Sequence, residues 1–118
     1  MGARTVTARR PPRSLRGLED LGRTRLSHSF FLRDFLYSEI ASLHGIANIP
    51  DTPARAVAHG RALCTTLLEP LHQTFGGLAI RSGYRCRSLN DFGNARRMNC
   101  AASDNPLECH VWDRPDIA

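Results

Sequence analysis

The stretch Leu78–Ser82, with the sequence LAIRS, alternates large apolar residues with small or polar ones. An alternation of period two predicts a short strand with one buried face. Gly83 follows at the end of this strand, where the backbone must turn tightly. A second short strand is predicted over His110–Trp112. We therefore expect a small sheet in the C-terminal part of the chain.

Two helices are predicted before the first strand. From Phe31 to Leu43 the apolar residues recur at steps of three, four and five, which predicts one helix that ends at Gly45. A second helix is predicted after Thr52, a good N-cap residue, and ends at Gly76–Gly77 with a kink or break at Pro70. The order helix, helix, strand, loop, strand predicts an α+β fold.

The segment between the two predicted strands is expected to be largely irregular. It contains a brief helical turn at Ser88–Phe92 and a polar loop over Gly93–Pro106. No pair of the four cysteines has the two-residue spacing of a zinc knuckle, which argues against a structural zinc site. Cys64 is expected to be a small buried hydrophobe. One disulfide among the other three would require export, and the sequence does not choose the pair.

The chain has 118 residues, the size of one domain, and a net charge of +5. Every basic residue is arginine, and seven of the 16 lie within the first 25 residues. Residues 1–27 are predicted to be a disordered arginine-rich arm, unless translation starts further downstream, and residues 28–118 to be the domain. Coding bias explains the arginines more simply than an anionic partner such as nucleic acid or the cell wall.

Neither a membrane span nor a signal peptide is predicted from this sequence. No apolar run approaches the roughly 18 residues that a spanning helix needs, and the arginine-rich start lacks a continuous apolar stretch. A cytoplasmic protein, or one released by phage-type lysis, is therefore favoured over classical secretion.

Two sets of side chains could carry chemistry. His110 is followed by Asp113 and Asp116, three and six residues later, and imidazole and carboxylate groups are suitable zinc ligands. A surface pair is the commoner meaning of such spacing. Arg85 follows the first predicted strand, and its planar guanidinium could grip a carboxylate with two parallel hydrogen bonds. An ordinary surface ion pair is again the simpler interpretation.

The chain from Phe31 to Asp116 resembles the zinc D-Ala-D-Ala carboxypeptidases, the VanY-like cell-wall peptidases often found in bacteria and their phages. The resemblance rests on the order of several short motifs. They are FLYS at 35–38, IANIP at 46–50, LEPL at 68–71, IRSGYR at 80–85 with Leu89-Asn90 behind it, Gly93-Asn94, and HVWD at 110–113. The SGYR element followed by Leu-Asn is fairly specific, and the His-x-x-Asp element is less so.

The resemblance implies helices packed on a small antiparallel sheet and one catalytic zinc ion. It implies that His110 and Asp116 are zinc ligands, with Asp113 as the fallback for the aspartate. It also implies that Arg85 is the catalytic arginine that holds the substrate, with Tyr84 and Ser82 beside it. The partner would be a peptidoglycan stem peptide, cleaved by zinc-assisted hydrolysis.

This sequence also departs from the family pattern. Glu108 stands where the family has a Ser, and bulky residues separate His110 from Asp116. No residue can be assigned to the family's second histidine ligand or to its Glu base. We therefore expect the N-terminal part of such a domain, inactive or nearly so. The alternatives are a non-catalytic cell-wall-binding domain and a small basic nucleic-acid-binding protein.

Overall fold

The computed structural model describes residues 10–80, 83–98, 100 and 110–113. These residues form helices and no strand, so the expected α+β fold with two helices on an antiparallel sheet is wrong for them. The elements are α1 (Leu15–Gly22), α2 (Arg33–Leu36), α3 (Glu39–His44), α4 (Pro53–Leu63), a π-helical segment (Cys64–Leu68), α5 (Glu69–Phe75) and α6 (Arg87–Ala95). None of these helices is long and apolar enough to cross a membrane.

Helix α1 occupies part of the sequence that was expected to be a disordered arm. Its N-terminus is capped by the Ser14 hydroxyl, which accepts a hydrogen bond from the Gly17 amide at 3.0 Å. The chain after α1 buries Thr24 and Leu26, and Leu26 belongs to the hydrophobic core. Over residues 10–27 the chain is therefore part of the packed structure. Residues 1–9 lie outside the described part.

The single helix predicted from Phe31 is divided into α2 and α3. Tyr37 adopts an extended conformation between them, and the Ser38 hydroxyl caps α3 by accepting from the Ala41 amide. The predicted end at Gly45 is confirmed, since this residue has a φ of 64° in the left-handed region that glycine tolerates. The apolar residues keep a helical spacing across this break of two residues, so their pattern does not reveal it.

The second predicted helix begins after Thr52 and ends at Gly76, as expected, but its interruption precedes Pro70. In a regular α-helix the proline ring would clash with the carbonyl of the residue four positions earlier. That residue, Thr66, lies in the π-helical segment, where the wider turn alters this geometry. Pro70 then occupies the first turn of α5. The π-helical segment therefore allows the helix to accommodate Pro70.

The described residues of the two predicted strands, 78–80 and 110–112, form no strand, and the adjoining segment 83–86 shares its backbone bonds among several partners. Tyr84 donates its amide to Phe35 O, and Arg85 donates to His110 O, each at 3.0 Å. Cys86 donates to the Asn48 side chain. A ladder needs consecutive bonds to one neighbouring strand. Among the described residues, the one antiparallel bridge joins Arg25 and Phe31.

Helix α6 is longer than the helical turn predicted for Ser88–Phe92, and it extends into the segment expected to be loop. It buries Leu89 and Asn90 against the core. The core brings together residues from every part of the described chain, among them Leu32, Phe35, Val57, Cys64, Tyr84 and Leu89. Burial of Cys64 is confirmed, and burial raises the pKa of its thiol to about 11.

Candidate functional site

The two motifs that carry the family resemblance lie against each other. The Arg85 amide donates to His110 O at 3.0 Å, and the Tyr84 hydroxyl donates to Asp113 Oδ1 at 2.9 Å. The Trp112 ring packs against the Tyr84 ring, with centroids 5.7 Å apart. Residues 83–85 and 110–113 therefore form one cluster, which we call the motif cluster. Of the residues that the sequence singled out, Tyr84, Arg85, His110 and Asp113 are brought together here.

His110 has the orientation that a metal ligand requires. Its Nδ1 lies 2.6 Å from Gly83 O, and the side chain is half-buried. A carbonyl oxygen can only accept, so this contact requires the proton on Nδ1. The lone pair of Nε2 is then available to a ligand. Metal-binding histidines commonly donate their other ring N–H to a carbonyl or carboxylate in this way.

Asp113 is committed to the fold through both carboxylate oxygens. Oδ1 accepts from the Tyr84 hydroxyl, and Oδ2 accepts from the Thr52 amide at 2.8 Å. The Asp113 side chain is only 5% exposed, and Tyr84 is completely buried. Burial raises the pKa of Tyr84, and the neighbouring Asp113 charge adds to this increase. The carboxylate therefore fastens the motif cluster to the start of α4.

Arg85 is held from inside the protein and is only 8% exposed. Its Nε donates to Asn90 Oδ1 at 3.0 Å, and Asn90 lies fully buried on α6. This bond explains why the sequence places Leu89 and Asn90 shortly after Arg85: the first turn of α6 returns Asn90 to the arginine. The contact fixes the plane of the guanidinium group, which is the requirement for two-pronged recognition of a carboxylate.

Asn48 is a central residue of the site that the sequence did not reveal. Its Nδ2 donates to Leu36 O at 3.0 Å and to Tyr84 O at 2.9 Å, while its Oδ1 accepts from the Cys86 amide at 2.8 Å. One side chain thus satisfies three backbone groups and substitutes for a neighbouring strand. Its position in the IANIP loop marked it as part of a connection and gave no sign of this function.

Ser82 and Asp116 are outside the described residues. Within the described part, no three His, Cys, Asp or Glu side chains are grouped as a metal site would require. His44 packs on the Phe92 ring at 4.9 Å and His72 on the Phe30 ring at 5.7 Å. Cys86 and Cys100 are both free thiols.

A second buried carboxylate lies at the start of α5. Glu69 Oε2 accepts from the Ser27 hydroxyl in a short contact and from the Ser29 amide at 3.0 Å. These bonds lower the pKa of Glu69 to about 2, the Ser27 contact contributing most. No described residue donates to its other oxygen, Oε1, which is also buried. The sequence had given no reason to single out this residue.

The chain was compared with models of known protein families, with curated proteins and with solved structures, and none of the three comparisons found a match. The resemblance to zinc D-Ala-D-Ala carboxypeptidases therefore rests on the motifs of this sequence and is neither supported nor opposed by a relative.

Proposed function

We propose that this protein binds the carboxylate end of peptidoglycan stem peptides at a site of the zinc-peptidase type. The observation that carries the proposal is the contact between His110 Nδ1 and Gly83 O, because it leaves Nε2 as a ligand directly beside the SGYR motif.

The candidate zinc ligands differ in the hydrogen bonds that their side chains already make. His110 fits, since its ring is oriented by a carbonyl and only half-buried. Asp113 remains the fallback ligand, since each of its oxygens already accepts a hydrogen bond that holds the fold together. The proposed ligands are therefore His110 and Asp116. A bound zinc ion would supply a Lewis acid for the substrate carbonyl.

Arg85 is proposed to hold the peptide's terminal carboxylate. Its backbone is bonded to His110 O and its Nε to Asn90, so the arginine and the proposed ligand share one rigid frame. A fixed guanidinium plane favours a carboxylate over a neutral amide, because only the charged group accepts two strong parallel bonds. Tyr84 is buried and supports this frame, and Ser82 is proposed to line the substrate site.

Zinc binding is tested by titration of the full chain with Zn²⁺, followed by calorimetry and by the fluorescence of Trp112. This residue is the single tryptophan of the sequence and lies two positions from His110. We expect H110Q to weaken binding by at least tenfold and D116N to weaken it measurably. H28Q, which changes an exposed histidine, is the control. Equal affinity in H110Q and H28Q would refute the assignment.

Substrate binding is tested with diacetyl-Lys-D-Ala-D-Ala and the same peptide carrying a C-terminal amide. The acid should bind and the amide should bind at least tenfold more weakly, because the amide cannot form the charged bidentate contact. R85Q should remove this difference, whereas R87Q on the exposed neighbour should preserve it. Equal binding of the acid and the amide would contradict the proposal.

We expect this chain to bind the peptide with little or no turnover, because no residue of the sequence is assigned as the general base. Release of D-alanine is measured with and without added zinc. Robust zinc-dependent release would show that this expectation is wrong and that the chain contains a base we have not identified. Thermal unfolding of R85Q and H110Q, compared with the unsubstituted protein, separates loss of binding from loss of fold.

A further inference from the structure

The Asn48 side chain bonds to the main chain on both sides of Arg85. Its Nδ2 donates to Tyr84 O at 2.9 Å, and its Oδ1 accepts from the Cys86 amide at 2.8 Å. Tyr84 O belongs to the peptide group that precedes Arg85, and the Cys86 amide belongs to the peptide group that follows it. Because a peptide group is planar, the two groups that flank a residue determine its φ and ψ. One side-chain amide therefore fixes the backbone conformation of Arg85.

The orientation of the Asn48 amide is set by its partners. Nδ2 carries two hydrogens and is bonded to two carbonyl oxygens, Leu36 O and Tyr84 O, while Oδ1 meets an N–H group. A reversed amide would place its nitrogen against the Cys86 N–H and its oxygen against both carbonyls, so only one orientation satisfies all three partners. Leu36 is the last residue of α2. Asn48 therefore also anchors the Arg85 segment to that helix.

The far end of the Arg85 side chain is held by a different asparagine. Asn90 Oδ1 accepts from Arg85 Nε at 3.0 Å, whereas Asn48 bonds to main-chain groups. The Nε contact alone does not fix the direction in which the side chain leaves the backbone, and Asn48 sets that direction. Recognition groups must be held within roughly 0.5 Å of the productive geometry. The two asparagines together supply this precision, one at each end of the arginine.

We propose that Asn48 is a positioning residue that determines the selectivity of the Arg85 site for a free carboxylate over a neutral amide. It acts through the backbone of Arg85 and does not touch the ligand. This inference rests on the proposed function, since it needs Arg85 to bind the terminal carboxylate of the peptide. Without Asn48, Arg85 keeps its charge but should align only one N–H group with the ligand. The advantage of the bidentate contact is then reduced.

The test is the ratio of the affinities of the full chain for diacetyl-Lys-D-Ala-D-Ala and for its C-terminal amide, measured by calorimetry. Partial unfolding lowers both affinities by the same factor, so the ratio does not depend on stability. We expect a ratio of about ten or more for the unsubstituted chain and about three for N48A, which corresponds to one of two equivalent bonds. N94A, which removes an exposed asparagine bonded to Cys100 O, is the matched control and should keep the full ratio.

Loss of stability has its own control and its own second variant. V57A shortens a buried core side chain of α4, so it should destabilise the protein and keep the full ratio. If circular dichroism shows that N48A does not fold, N48S replaces it. N48S keeps a hydroxyl that can bond one of the three groups, and its ratio should fall below that of N94A.

The outcomes separate this inference from the proposed function. A ratio near one in the unsubstituted chain overturns the proposed function and this inference with it. A full ratio in the folded N48A or N48S variant overturns the inference alone, because Arg85 would then recognise the carboxylate without Asn48. Equal falls in N48A and V57A also overturn it, since general destabilisation would then account for the change.

Discussion

Two buried carboxylates, Asp113 and Glu69, each join segments that are far apart in the sequence, but they differ in how completely they are satisfied. Asp113 uses both oxygens, one for the Tyr84 hydroxyl and one for the Thr52 amide. Glu69 uses Oε2 for both the Ser27 hydroxyl and the Ser29 amide. Its Oε1 is buried without a donor among the described residues.

The difference shows what each carboxylate is able to do. A carboxylate that accepts a bond on each oxygen and connects two elements is a structural part of the fold, and a metal bound to Asp113 would share the oxygens that these bonds use. Asp113 therefore has a structural contact on each oxygen, whereas its assignment as a fallback zinc ligand stays a prediction. Glu69, to which the LEPL motif assigned no function, leaves one oxygen without a donor among the described residues, and such groups are uncommon in native proteins.

The largest effect is expected from D113A. It leaves the buried Tyr84 hydroxyl and the Thr52 amide without their acceptor, so the free energy of unfolding should fall by about 4 kcal/mol. Urea denaturation followed by circular dichroism measures this change. A loss below about 1 kcal/mol would show that water replaces the carboxylate easily and that the two carboxylates do not differ as described.

N48A tests whether the motif cluster depends on Asp113 alone. The substitution removes the partner of Leu36 O, Tyr84 O and the Cys86 amide, so a loss of about 3 kcal/mol is expected at roughly 1 kcal/mol for each group. The same urea experiment applies. N94A, which removes one bond from the exposed Asn94 to Cys100 O, is the control and should cost much less. Equal losses in the two variants would contradict the central position of Asn48.

Y84F removes one donor from Asp113 and keeps the buried ring. The free energy of unfolding should fall by about 1.5 kcal/mol, since one carboxylate oxygen loses its partner while packing on Trp112 persists. A double-mutant cycle with D113A isolates the pair, because the hydroxyl has no acceptor once Asp113 is gone. If the two losses are simply additive, the hydroxyl does not act through Asp113.

The smallest effect concerns Glu69 and depends on pH. Its pKa in the folded protein is about 2, below the ordinary value of 4.5, so the unfolded chain binds the proton first on acidification. The stability that Glu69 contributes is fully present above pH 4.5 and is lost as the pH falls through about 2.

The measurement is the difference in the free energy of unfolding between the unsubstituted protein and E69Q, taken at several pH values. The difference should be largest above pH 4.5 and shrink towards zero near pH 2. E39Q removes an exposed carboxyl from α3 and controls for the loss of one negative charge. A difference that is independent of pH would mean that Ser27 and Ser29 do not favour the ionised carboxylate.

Local signals in the sequence determined where several helices begin and end and that Cys64 is buried. Gly45 and Gly76 both adopt positive φ at helix ends, and α4 starts after Thr52, because caps depend on residues only a few positions away. These features need little or no knowledge of the rest of the chain.

Only the tertiary structure decided the absence of a sheet in the described residues and the separate roles of His110 and Asp113. Alternation over 78–82 predicts an extended segment, but a strand also needs a partner, and the backbone of 83–86 is bonded to α2, the Asn48 side chain and the His110 segment instead. The hydrogen bonds that Asp113 accepts from Thr52 and Tyr84 also join residues that are far apart in the sequence. Hydrogen bonds between residues 29 and 61 positions apart leave no pattern in the sequence, and only the tertiary structure shows that they anchor Asp113.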